Sequence, residues 1–229
     1  MTALAKGASA AALTGTAATG GIYFGTDLFK NENKTAISSL IKNTNPEKRL
    51  ITSKGVGDDV WKKAYKAYRE ANKDNEKDVW GLKDWTKPND PIVETNATEE
   101  FISKCDSNSK VEVSNKDDLL YKQVLAYCTR DTLVSDLISE GTTGKKLLDK
   151  NASDSDQTSG WQAAWKVYRT QNSSKGAGQD PWGLESWDTK KDKDELPNNY
   201  KDKCVEHANK PAYKLDDENY RNVLAWCTK

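Results

Sequence analysis

Trp61-Lys62-Lys63-Ala64-Tyr65-Lys66-Ala67-Tyr68-Arg69 decides the fold, because it returns one hundred residues later as Trp161-Gln162-Ala163-Ala164-Trp165-Lys166-Val167-Tyr168-Arg169. In each stretch the aromatic and Ala positions stand at i, i+3, i+4 and i+7, which places them on one face of an α-helix. Asp58 and Asp59 precede the first helix and Ser159 the second, all residue types that cap helix starts. The spacing therefore predicts a helix with one buried aromatic face, present twice.

The repetition extends outward in both directions. Ser38-Ser39-Leu40-Ile41 answers to Ser135-Asp136-Leu137-Ile138, and Leu50-Ile51 to Leu147-Leu148, at an offset of 97. Trp80-Gly81-Leu82 and Trp85 answer to Trp182-Gly183-Leu184 and Trp187 at 102. Cys105, Tyr121, Val124, Leu125, Cys128 and Thr129 answer to Cys204, Tyr220, Val223, Leu224, Cys227 and Thr228 at 99. The drift in offset places insertions between matched blocks, where Gly55, Gly57, Gly176, Gly178 and polar runs mark loops. Tyr121 to Cys128 and Tyr220 to Cys227 repeat the helical spacing, behind a capping pattern at Ser114 to Asp117 and at Asp216 and Asp217. Shorter helices are expected over 35–42, 99–105, 132–140 and 200–208. Val111-Glu112-Val113 alternates as a strand does, but three residues are too few for a sheet. The expected fold is all-α: two tandem copies of a small helical-bundle domain, over 35–130 and 131–229, behind an N-terminal transmembrane or signal helix over 1–26.

That N-terminal helix is read from twenty uncharged residues, Gly7 to Thr26, rich in Ala, Gly, Thr and Ser and closing with Ile22-Tyr23-Phe24. Twenty helical residues just span a hydrocarbon core of about 30 Å. Retention as a signal-anchor is preferred to cleavage, because the small triplet Ala8-Ser9-Ala10 precedes any apolar run. A lipoprotein anchor needs a Cys close behind the run, and the first Cys is Cys105. Lys6 on the short side leans the carboxyl-terminal bulk toward the outside.

Composition narrows the function classes. Thirty-five Lys and Arg balance 35 Asp and Glu, so the basic excess that neutralises phosphates is missing and no nucleic-acid partner is expected. A mean hydropathy of −0.88 excludes a polytopic membrane protein. Eight Trp and nine Tyr supply the large buryable surfaces that disordered chains lack.

The small-residue amino terminus, the Leu-Ile block, W-x-x-A-[YW]-x-x-Y-R, W-G-L-x-x-W and the V-L-A-[YW]-C-T ending together resemble the large paralogous families of uncharacterised proteins in haemotropic mycoplasmas. The resemblance covers nearly the whole chain. It implies a membrane-anchored or exported protein exposed to the host, with no assigned activity, and no catalytic residue carries over from it. The tandem duplication departs from the single-copy pattern of those families.

The cysteines are the sharpest chemical signal, one pair twenty-three residues apart in each copy. Duplication favours disulfides joining Cys105 to Cys128 and Cys204 to Cys227, with buried reduced thiols as the competing reading. Geometry raises an objection: if Cys105 ends one helix and Cys128 the next, a tight hairpin holds them about 18 Å apart, whereas a connection that runs back would bring them together. Zinc is disfavoured, since there is no C-x-x-C and His207 is the only His.

Trp80, Trp85, Trp182 and Trp187 would offer indole faces to a sugar or planar ligand if exposed; alternatively their loops plug the bundle, with Gly81 and Gly183 allowing the turn. Arg69 and Arg169 would clamp an anion or else lie along a helix edge beside Tyr68 and Tyr168. Gly141 to Lys145, G-T-T-G-K, lacks the spacing of a phosphate-binding loop. His207 has no partner in the first copy and reads as solvated. No catalytic set, cofactor or metal is expected. The functional expectation is a non-catalytic, membrane-anchored or secreted surface protein that meets a host surface protein or a glycan, with a carbohydrate- or small-ligand-binding module on the Trp loops as the alternative.

Overall fold

The computed structural model describes residues 34–229, so the expectation of a signal or anchor over 1–26 lies outside the described residues. The described chain is mostly helical. The first aromatic stretch forms α2 (Asp59–Ala71), which buries Trp61, Ala64, Tyr65 and Tyr68; the second forms α6 (Ser155–Gln171), which buries Trp161, Ala164, Trp165 and Tyr168. Helix α6 begins a turn earlier than its spacing implies, because Asp154, not Ser159, accepts the Gln157 N–H at 2.9 Å. Gly160 then falls inside the helix, where a Cβ would stand 2.5 Å from Leu148 Cδ2.

Around these helices the two halves of the chain supply matching elements. The first half has α1 (Ile37–Thr44), α3 (Glu99–Ser109) and α4 (Leu119–Tyr127). The second has α5 (Val134–Glu140), α8 (Tyr200–Ala208) and α9 (Glu218–Trp226), with a short α7 (Trp187–Lys190) added. Thr98 caps α3 through the Phe101 N–H at 3.2 Å. Asp118 caps α4, one residue beyond the expected pattern, and Asp217 caps α9.

The expectation of an all-α chain is corrected by two short antiparallel ladders. Strand β1 (Thr35–Ala36) pairs with β3 (Glu112–Val113), and β2 (Lys48–Leu50) with β4 (Thr129–Asp131). The 111–113 stretch thus does pair, because a two-residue ladder inside a helical core needs no sheet behind it: Ile37 N–H donates to Val111 O at 2.9 Å, and Val113 is buried. The second half keeps single bridges at the same places, Leu133 with Pro211 and Leu147 with Thr228. The first of them stops at one pair because Thr132 N–H donates to Glu47 O rather than back to Ala212.

Residues 34–229 form one compact unit containing two hydrophobic clusters. Tyr68 and Phe101 centre the first, their rings 5.1 Å apart. Tyr168 centres the second, with the rings of Trp165, Trp182, Trp187, Tyr200 and Trp226 around it at 4.8 to 5.8 Å. The clusters meet without a linker. Thr132 N–H donates to Glu47 O and Thr132 O accepts from Ala212 N–H, both at 2.9 Å, so one residue is hydrogen-bonded into both halves. Among the described residues no helix is long and apolar enough to cross a membrane.

Candidate functional site

The Trp-Gly-Leu segments are built around a buried carboxylate. Asp78 accepts from the backbone N–H groups of Trp80 and Leu82, both at 2.9 Å, and from the Tyr68 hydroxyl. Asp180 accepts from Tyr168 Oη at 2.6 Å and from Leu184 N at 3.0 Å. Asn72 and Asn172 complete each cluster, their Nδ2 donating to the Tyr68 and Tyr168 carbonyls at 2.9 Å. A buried carboxylate is tolerated only when hydrogen-bonded in this way. Burial, and then the adjoining carboxylate, push the Tyr68 and Tyr168 hydroxyls far above the ordinary tyrosine value. Gly81 and Gly183 turn the chain through φ of +63° and +59°, a region that side-chain-bearing residues avoid.

These clusters fold both loops back onto the cores. Trp182 and Trp187 are 5% and 1% exposed, and Trp187 Nε1 donates to Lys175 O at 3.0 Å, so neither indole presents a face to solvent. Trp80 and Trp85 are half-buried against the first cluster, with Trp80 Nε1 donating to Gln123 Oε1 at 2.9 Å. Arg69 lies over the Tyr65 ring at 5.7 Å and donates to Val93 O at 3.2 Å, while Arg169 pairs with Asp194. All these side chains are engaged in holding loops to helices.

The structure joins Cys105 to Cys128 and Cys204 to Cys227, with Cα separations of 5.4 and 5.6 Å. The geometric objection dissolves because Cys105 does not end its helix: α3 runs on to Ser109, and the segment 110–118 carries the chain away before α4 returns to Cys128. Each bridge is nearly buried, with Cys128 and Cys227 at 1% exposure. In the chain-entropy account, closing a loop of this length stabilises the fold by about 3 to 4 kcal/mol.

The junction of the halves is gripped by two bidentate ion pairs. Arg49 reaches Glu140 at 2.9 and 3.0 Å, and Arg130 reaches Asp136 at 2.5 and 2.9 Å. Burial raises the Asp136 carboxyl, but the hydrogen bonds from Arg130 and the Leu133 N–H and the nearby arginine charges outweigh it and hold it below its usual range. Beside this junction opens a groove of about 470 Å³, bounded by Glu47 of the first half and by Asp131, Thr132, 211–214, Asp216 and Asp217 of the second.

His207 is not the solvated residue expected from sequence. Its ring stacks on Trp182 with centroids 4.5 Å apart, and Nδ1 stands 2.5 Å from Asn219 Oδ1. Burial pushes its pKa down. Among the described residues no group of three or more His, Cys, Asp or Glu is placed to hold a metal ion.

No protein-family model, curated protein or solved structure matches this chain.

Sequence reasoning missed the Asp78 and Asp180 clusters and the residues that join the halves. The first had a signal: Asp stands two positions before Trp-Gly-Leu in both occurrences of the motif, at the same offset of 102 as the tryptophans. Asn72 and Asn172 likewise keep the offset of the aromatic helices. The joint at Thr132 had none, since it depends on which surfaces meet.

Proposed function

We propose that residues 35–130 and 131–229 are two copies of one helical domain, held outside the cell behind an N-terminal anchor, and that the protein is a non-catalytic surface module that contacts a partner molecule. The observation that carries this reading is the bridged cysteine pair at the same place in each half. Such bridges persist in oxidising compartments and are rare in reducing ones. The matched element order and the shared Asp-Tyr-Asn clusters support the duplication. The similar geometry of those clusters in the two halves locks loops in place, which favours a rigid recognition scaffold over a catalytic centre, where perturbed groups face a cleft. Buried indoles at Trp182 and Trp187 weigh against the carbohydrate-binding alternative.

Protease treatment of intact cells tests this, read with an antibody to residues 131–229 and with a cytosolic control. Loss of the epitope with the control intact is the expected result. Full protection, followed by digestion after lysis, contradicts it.

A further inference from the structure

The groove at the junction is lined by Glu47 from the first half and otherwise by residues of the second. Four of its lining residues are carboxylates, Glu47, Asp131, Asp216 and Asp217, against one lysine, Lys214. Lys48 holds Asp131 at 2.8 Å and Asp217 caps α9, which leaves the lining negative after these internal pairings are taken into account.

The groove segment 210–217 corresponds to 111–118, since Asp217 caps α9 as Asp118 caps α4. At this matched place the first half carries Ser114 and Lys116, whereas the second carries Tyr213 and Leu215. The fold therefore needs no apolar side chain at either position. Tyr213, which lines the groove, and Leu215, which stands in sequence between the lining residues Lys214 and Asp216, are nevertheless 48% and 64% exposed. Exposed aromatic and aliphatic groups next to a polar concavity are the composition of a recognition surface.

We propose that this groove is a docking surface for a basic peptide segment of a partner protein, whose lysine or arginine heads meet the carboxylates while its apolar side chains lie on Tyr213 and Leu215. The assignment rests on the surface-module reading above and names its contact face. Charge complementarity selects the occupant: a negative groove repels acidic segments and draws basic ones, more strongly at low salt.

The test uses the full chain with its disulfides intact and a dye-labelled short peptide of alternating lysine and leucine, followed by fluorescence anisotropy. Tyr213→Ser combined with Leu215→Gln removes the apolar surface without adding charge, and Ser is what the first half already accommodates at the matched position. The expected result is saturable binding that weakens with added salt and falls about tenfold in the double variant, as for loss of a central contact. Unchanged binding by the double variant, or equal binding of a peptide with glutamate in place of lysine, overturns the proposal. A concentration-dependent dimer that the double variant abolishes also overturns it and gives the groove to a second copy. Protease protection on intact cells together with normal peptide binding would sink the cell-surface reading alone, so the two failures are distinguishable.

Discussion

The two halves of this chain solve the same packing problem with different side chains, and the second solves it more completely. Where the first half has Tyr65, Phe101 and Tyr127, the second has Trp165, Tyr200 and Trp226. The larger rings fill the space around Tyr168, and the Tyr200 hydroxyl finds the Trp226 carbonyl at 2.6 Å. With the core filled, the second loop closes over it and Trp187 is 1% exposed; its counterpart Trp85 stays half-buried. The polar cluster beneath each loop is nearly the same in both halves, so it sets the loop's path, while ring size sets how deeply the indoles sink.

Trp187→Ala should cost about 3 to 5 kcal/mol, the range for emptying a large buried aromatic site. Trp85→Ala at the matched position should cost roughly half as much, because solvent already reaches part of that ring. Chemical unfolding of the full chain, followed by circular dichroism, measures both. Equal losses would show that the difference in burial has no energetic weight.

Cys105→Ser with Cys128→Ser, and separately Cys204→Ser with Cys227→Ser, should each cost about 3 to 4 kcal/mol, since both bridges close loops of the same length. A large inequality would mean that one half's native packing resists the bridge, contrary to their matched geometry. Smaller again is Asp180→Asn, which weakens the acceptor for the Leu184 N–H and the Tyr168 hydroxyl and should cost about 1 to 3 kcal/mol. Its effect should appear as increased iodide quenching of tryptophan fluorescence, since the loop carrying Trp182 loses its tether.

Acid should act on the second half first. Burial holds His207 below its ordinary value of about 6.5, so the folded state binds its proton less readily than the unfolded chain does. Stability from the neutral ring is complete above the unfolded value and is lost as pH falls through it. Asn108 occupies the matched position in the first half and contributes no such loss. Proton NMR of the single histidine gives its pKa directly; titration at or above the ordinary value would remove this asymmetry.

Much of the fold was legible in the sequence because repetition acts as an internal alignment. Trp61 to Arg69 and its copy fixed two helices and their buried face, and the cysteine spacing singled out the residues that the structure joins. What escaped had physical reasons. The strands are only two or three residues long, so the alternation visible at Val111-Glu112-Val113 was too short to count as a sheet. Asp78 and Asp180 were lost among the abundant exposed charges, although a carboxylate that recurs beside an aromatic motif is a candidate for burial. The early start of α6 was hidden because Gly160 reads as a helix breaker until Leu148 is seen packed against it. The groove was illegible because it depends on Glu47 meeting a distant segment, and Tyr213 and Leu215 lie where the two sequence repeats differ.

A duplicated scaffold that works where disulfides persist carries its bridges in its own cells, and the thiol state of the chain there shows whether it does. Cells would be quenched in acid, free thiols alkylated with one reagent, and the remainder reduced and alkylated with a second, heavier one before mass spectrometry. The account predicts the heavier label at Cys105, Cys128, Cys204 and Cys227. The first label at all four would place the chain in a reducing compartment and contradict it.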